Sequence, residues 1–227
     1  MAGELVQVPI NGTSLEGELV IPSQARGLVI FVHGSGSSRL SPRNNYVARV
    51  LQEAGLATFL FDLLTSAEDQ VYANRFDIPL LTQRLLLATQ WLAGKAETRD
   101  LRRGFFGAST GAAAALQAAA EMGDEVGAVV SRGGRPDLAG EGVLSKVRAP
   151  SLFLVGGLDS LVIELNQQAF ARLSAEKHLE IIPGATHLFE EEGTLEEVKT
   201  TLESMLDPGE SVMVYRMASE KYVDRFV

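Results

Sequence analysis

A serine, an aspartate and a histidine lie in this chain where they could act together on an acyl group. Gly107-Ala108-Ser109-Thr110-Gly111 is a G-x-S-x-G run. It falls between an apolar stretch ending Gly104-Phe105-Phe106 and an alanine-rich stretch from Ala112 onward. In that strand-to-helix context a serine hydroxyl projects over a sheet edge, and the flanking glycines keep neighbouring backbone clear of the sharp turn. A serine hydroxyl is a weak nucleophile near neutral pH. It needs an imidazole to accept its proton, and the imidazole needs a carboxylate to fix its tautomer. Asp159, in Gly156-Gly157-Leu158-Asp159-Ser160, lies 50 residues after Ser109, and His187, in Gly184-Ala185-Thr186-His187, a further 28 residues on. Each comes just after a short apolar run, so loops on one edge of a sheet would gather all three, and open α/β sheets bind ligands at that edge.

The elements that must position them alternate along the chain. Residues 5–8 and 15–21 alternate apolar and polar side chains around Asn11-Gly12, which predicts an antiparallel hairpin at a sheet edge. Residues 27–32 form a nearly continuous apolar run, a strand buried on both faces, ending in the loop His33-Gly34-Ser35-Gly36-Ser37-Ser38. Helical spacing over 43–54 stops at Gly55. Strands are expected at 57–61, 101–106, 126–131, 151–155 and 179–182. Helices are expected at 78–93, 110–122, 166–173 and 194–205, with a helix or loop around 137–147. Thr194 and Glu197 have capping-box spacing. Such alternation implies a mostly parallel sheet covered on both faces. Only about 15 residues separate the strand ending at 61 from the helix at 78, so no large lid is expected, and Val71, Tyr72 and Phe76 are candidates for one wall of an acyl pocket.

Composition narrows the partners. With 227 residues, 46% hydrophobic and 22% charged, the chain suits one folded domain. Net charge is −9, with no Lys/Arg block, which argues against nucleic acid and anionic membrane. The absence of cysteine removes disulfide scaffolds, thiolate nucleophiles and Cys-ligated metal. Residues 1–5 lack the charged and apolar regions of a secretory signal. The most apolar stretch, 104–120, is interrupted by Ser109, Thr110 and Gln117, so a cytoplasmic location is expected. Residues 207–227 follow the helix breaker Asp207-Pro208-Gly209 and are rich in apolar residues. They read as an arm packed on their own domain or as a docking segment, which leaves a homo-oligomer open.

Other polar residues compete for roles. His33 is placed to shape its loop through a hydrogen bond and is kept as a substrate-contact candidate. His178, between Glu176-Lys177 and a strand, reads as a surface residue. Arg132 and Arg135 follow a strand and could reach the same edge, where a guanidinium would bind a substrate carboxylate or phosphate; the alternative is bracing with acids such as Asp137. Asp62 also follows a strand and is a rival to Asp159, but it precedes the serine. Glu190, Glu191 and Glu192 lack a second histidine at metal-binding spacing, so neither metal nor cofactor is expected. Gly34-x-Gly36 fails as a nucleotide loop, since Arg39 stands where a third glycine is required.

His33 to Ser38, Gly107 to Gly111, Ser131-Arg132-Gly133-Gly134-Arg135-Pro136 and Gly184 to His187 together resemble the α/β-hydrolase superfamily. Within it the chain looks most like the small dienelactone-hydrolase-like group, which includes hydrolase domains fused to phosphoribosyltransferases. The resemblance covers residues from about 15 to 206. It implies an α/β-hydrolase fold: a mostly parallel central sheet with an N-terminal antiparallel hairpin, helices on both faces and a minimal cap, in a domain spanning 1–206. It further implies an oxyanion hole from the backbone N–H groups of Ser35 and Thr110. The chain departs from dienelactone hydrolase itself, whose nucleophile is cysteine. The expected activity is hydrolysis of small carboxylic esters or lactones through Ser109, with His187 as base and Asp159 orienting it. Acyl transfer or thioester cleavage on the same triad, and a catalytically silent binding module, are the alternatives.

Overall fold

Short apolar runs separated by amphipathic ones fold here into one sheet with helices on both sides, in a computed structural model that describes residues 3–10 and 12–206. The segment 207–227, read from sequence as an arm or docking element, lies outside the described residues. The strands are β1 (Glu4–Ile10), β2 (Thr13–Val20), β3 (Leu28–Val32), β4 (Ala57–Phe61), β5 (Arg103–Ala108), β6 (Val126–Arg132), β7 (Ser151–Gly156) and β8 (Lys177–Ile182). The helices are α1 (Pro42–Glu53), α2 (Ser66–Asp69), α3 (Ile78–Ala93), α4 (Thr110–Met122), α5 (Glu141–Leu144), α6 (Ser160–Arg172) and α7 (Thr194–Leu206).

The sheet order is β1-β2-β4-β3-β5-β6-β7-β8. β2 runs antiparallel to both β1 and β4, and every other pairing is parallel. β3 lies between β4 and β5, so the chain leaves it in opposite directions across the sheet, and the crevice at the carboxyl ends opens there. Ile10 pairs with Thr13 across the hairpin, and Gly12 takes φ +86°.

Period-two alternation sorts the core into two layers. Leu28, Ile30 and Val32 of β3 face one cluster, with Phe59, Phe105, Leu85 of α3 and the alanines of α4. Val29 and Phe31 face the other, with Leu60, Phe106, Val47 and Leu51 of α1 and Val198 and Leu202 of α7. Every residue of β3 and β4 is buried, whereas β1 buries only alternate residues, as an edge strand with one wet face does.

Four details differ from expectation. β5 starts at Arg103 and continues through Gly107 and Ala108, because both residues pair with neighbours, Gly107 with Val32 and Ala108 with Arg132. α6 starts six residues before the expected 166. Its inward stripe Val162, Asn166, Ala169 includes a polar residue that interrupts the apolar pattern. Thr194 does not form a capping box with Glu197. It is the first helical residue, and its hydroxyl donates to Glu191 O, while Glu197 N donates to Gly193 O. A capping box forms instead at Thr65 and Glu68, opening α2 in the segment between β4 and α3.

Candidate active site

Ser109 is the single residue between β5 and α4, and it takes φ +49° and ψ −121°. L-residues with a side chain rarely adopt that region, and the neighbours leave the chain little choice. A Cβ at Gly111 would stand 2.1 Å from Val32 O, and one at Gly107 2.5 Å from Ala112 Cα. α4 therefore crosses directly over the ends of β3 and β5, and the reversal must be completed within one residue. The Ser109 carbonyl accepts from Ala112 N at 3.1 Å and Arg135 N at 3.0 Å, which pins the turn.

The loops after β7 and β8 bring the other two side chains to it. They touch at Gly156, where a Cβ would lie 2.5 Å from the carbonyl oxygens of both Ala185 and Thr186, and Leu158 N donates to Ala185 O at 2.9 Å. Gly133, at φ +52°, clears the space occupied by His187 O. His187 Nδ1 lies 2.8 Å from Asp159 Oδ2, and His187 Nε2 lies 3.2 Å from Ser109 Oγ. A carboxylate only accepts, so in the neutral ring Nδ1 donates to Asp159 and the Nε2 lone pair faces the serine hydroxyl. Glu191, absent from the sequence reading as a functional group, accepts from Thr186 N at 3.0 Å and from the Thr186 hydroxyl. These bonds hold its carboxyl below the usual range and clamp the residue before His187.

The remaining candidates separate. Asp62 is engaged by Arg39, through its N at 2.7 Å and Nη1 at 2.9 Å, and has no contact with His187. His178 is exposed and meets Glu180. His33, a candidate for substrate contact, spends both ring nitrogens on backbone: Nδ1 donates to Gly34 O at 2.9 Å, and Nε2 accepts from Leu63 N at 3.0 Å. Burial lowers its pKa and keeps it neutral, so it braces the loop after β3 and offers nothing to a ligand. Arg135, the other loop arginine expected to reach substrate, instead forms a two-pronged pair with Asp137 at 2.9 and 2.7 Å, which raises its pKa. Arg132 is buried and lines the cavity beside Ser109.

Of the two expected oxyanion donors, one already has a partner. Ser35 N already donates to Thr110 Oγ1 at 2.9 Å, because the threonine side chain at the first position of α4 reaches back to the loop after β3. Thr110 N is among the first N–H groups of α4, which have no partner within the helix.

A cavity of about 310 Å³ opens here, lined by Ser35, Ser37, Arg43, Ser109, Arg132 and His187 among others. Val71, Tyr72 and Phe76, expected to wall it, do not; they stand exposed on the segment between β4 and α3. Among the described residues no group of three or more His, Asp or Glu side chains could hold a metal ion, and no helix is long and apolar enough to cross a membrane.

Comparison with known proteins places the chain in a family. No protein-family model matches the chain. The chain is similar to a dienelactone hydrolase from Anabaena variabilis, at 53% identity and TM-score 0.84 over 88% of this chain and 94% of that one. It shares its fold with Est1E from Butyrivibrio proteoclasticus, at 17% identity, TM-score 0.78, and 95% and 99% coverage. Two Mycobacterium tuberculosis proteins, provisionally named phosphoribosyl transferases, are 57% identical over 195 residues, 86% of this chain. The chain spans 44% of the length of those curated relatives. By fold and by identity across nearly the whole of the Anabaena protein, the chain belongs to the dienelactone-hydrolase-like group of the α/β hydrolases.

Proposed function

We propose that the chain cleaves small carboxylic esters or lactones through an acyl-enzyme on Ser109, with His187 as general base and acid and Asp159 as its orienting partner. One observation carries this reading. An unbroken line of hydrogen bonds, Asp159 to His187 at 2.8 Å and His187 to Ser109 at 3.2 Å, ends on a hydroxyl held in a strained turn at the cavity wall.

The chemistry follows from that line. Ser109 Oγ attacks the acyl carbon while its proton passes to His187 Nε2, and Asp159 stabilises the imidazolium through Nδ1–H. The charge that develops on the carbonyl oxygen meets Thr110 N–H and competes with the Thr110 hydroxyl for Ser35 N–H. Collapse breaks the bond to the leaving oxygen, which takes the proton from Nε2; in a lactone that oxygen stays tethered to the acyl group. A water then gives a proton to Nε2 and attacks the acyl carbon. The bond to Oγ breaks, the proton returns to Ser109, and a carboxylic acid departs.

Labelling with a fluorophosphonate probe and peptide mapping tests the reading. The expected result is label on Ser109 alone, abolished in Ser109→Ala and strongly reduced in His187→Ala. A folded wild type that takes no label refutes it.

A further inference from the structure

Arg132 is a buried cation without an anion. It closes β6, is 5% exposed, and lies 5.4 Å over the Phe189 ring. Its Nη2 donates to the neutral Asn44 Oδ1 at 3.2 Å, and its Nε has no partner. The other buried arginine, Arg84, pairs with Glu68, and Arg39 and Arg135 have carboxylates of their own. Arg132 meets none among the described residues. A buried charge with no counter-ion is destabilising, and a fold tolerates one where a ligand supplies the opposite sign.

Further positive potential converges on the same cavity. Arg43, in the first turn of α1, lines it, with its Nε buried and unpartnered and its Nη1 turned out to Glu190. Burial, and then the charge of Arg43, bring the Arg132 pKa down to about 10, so Arg132 stays charged at neutral pH and is repelled by Arg43. The start of the 12-residue helix α1 lines the cavity through Ser41, Arg43 and Asn44, beside Ser37; Pro42 has no N–H and Asn44 N is taken by Ser41 Oγ, so the helix adds its dipole and the Arg43 N–H. A helix start here is joined by a cation more than nine-tenths buried at the cavity wall.

Resting on the Ser109 reading above, we propose that this cavity holds a phosphate group of the substrate, so that the ester or lactone delivered to Ser109 is a phosphorylated one, with Arg132 and Arg43 as its specificity determinants. Arg132 supplies one uncompensated positive charge and Arg43, whose partner Glu190 is exposed, a second that a ligand can share, toward the roughly −1.5 to −2 charge of a phosphate monoester. The donors come from the end of β6, the start of α1 and the loop after β3. Donors drawn from three separate elements suit a tetrahedral group, whereas a planar carboxylate is served by one guanidinium fork. A cavity of about 310 Å³ has room for the phosphate and a short acyl chain.

The test compares three 4-nitrophenyl esters of similar length, the butanoate, the hemisuccinate and the 3-phosphonopropanoate. Calorimetric titration with inorganic phosphate runs beside it and needs no turnover. In the wild type, kcat/KM for the phosphono ester should exceed that for the butanoate about tenfold or more, the scale of one or two charge-assisted hydrogen bonds. The hemisuccinate should fall between them. Phosphate should bind saturably to the wild type and to Ser109→Ala. Arg132→Gln and Arg43→Gln should each collapse the phosphono-to-butanoate ratio toward one and weaken phosphate binding. Arg148→Gln, the loss of an exposed arginine paired with Asp124, should change neither. If Arg132→Gln fails to fold, the partly exposed Arg43 decides. Label on Ser109 with no phosphate binding and no preference for the phosphono ester overturns the proposal and leaves the hydrolase reading standing. A preference for the hemisuccinate also overturns it. Phosphate binding that depends on Arg132, in a protein that neither labels nor turns over ester, sinks the Ser109 reading and keeps the anion site.

Discussion

Strain at Ser109 gives a prediction that separates backbone conformation from side-chain chemistry. At φ +49° and ψ −121° the residue occupies a region where glycine rests freely and a Cβ does not. Ser109→Ala and Ser109→Gly both remove the hydroxyl and its 3.2 Å contact with His187, so that loss cancels between them. What differs is the Cβ. Relief of a residue held in such a region is worth about 1–3 kcal/mol. The extra freedom of glycine in the unfolded chain takes back about 0.5–1 kcal/mol. Ser109→Gly should therefore be more stable than Ser109→Ala by about 1 kcal/mol, or about 2–4 °C in Tm for a chain of this size. Urea unfolding of the two variants, with equal m-values, measures the difference directly. Both variants should be silent to the fluorophosphonate probe. An alanine variant as stable as the glycine variant, or more so, would show that the turn is not strained and that the fold does not hold Ser109 against its preference.

The remaining expectations concern the surroundings of that turn. Gly111→Ala places a Cβ 2.1 Å from Val32 O and 2.6 Å from His33 O, both backbone, so the loss should exceed the roughly 1–3 kcal/mol of ordinary overpacking, while Gly142→Ala, with nothing within 4 Å, should be near neutral; equal stabilities would refute the close approach of α4 to β3. Thr110→Val leaves Ser35 N–H without its acceptor and should lower stability by about 1–3 kcal/mol, yet kcat/KM should not fall, since an incoming oxyanion gains an unopposed donor; a tenfold drop in a folded variant would mean that the hydroxyl itself is the donor. Burial keeps His33 neutral in the folded chain, so as pH falls below about 6.5 the unfolded chain takes up a proton that the folded chain refuses, and stability declines by at most about 1.4 kcal/mol per pH unit; unfolding curves of His33→Gln should lack that part of the slope, and parallel profiles would refute it. Arg132→Met removes an unpaired buried charge, a gain of about 1–4 kcal/mol, but orphans Asn44 Oδ1 at about 1–3 kcal/mol, so stability in phosphate-free buffer should be no lower than wild type; a large loss would show that Arg132 is structural.

Sequence legibility followed the range of the interactions involved. Strand 57–61 and helices 78–93 and 110–122 matched the structure at both ends, because apolar runs and local stop signals set them. The order of Ser109, Asp159 and His187 was also legible, since each stands just past a strand. The engagement of Ser35 N by Thr110 was not, because the two are 75 residues apart and meet only when α4 docks on the end of β3. The first turns of the helix before β8 are not legible, since Asn166 puts a polar residue on its inward stripe. Its Nδ2 donates to Gly134 O, a reason for burial that exists only in the folded chain. The capping box at Thr65 and Glu68 was in the sequence as Thr-Ser-Ala-Glu, but a four-residue helix has too little periodicity to draw attention to it.

The two loop arginines show how strand parity separates residues that composition treats alike. Ala128 and Val130 of β6 face the layer built by α1 and α7, and Arg132 continues that alternation. Period two therefore sends Arg132 toward Asn44, Arg43 and the Phe189 ring, into a layer otherwise lined by apolar side chains. Gly133, at φ +52°, then ends the strand and turns the chain away, and Arg135 comes out beside Asp137, two residues on, where a local pair satisfies it. A leucine or methionine at 132 would serve the layer as well as an arginine does, and Asn44 is no substitute for a counter-ion. Packing, with the Phe189 ring contact at 5.4 Å, offers only a small return for a buried charge at that position, whereas the neighbouring cavity, walled by a second guanidinium and the start of α1, supplies a reason that depends on what enters it.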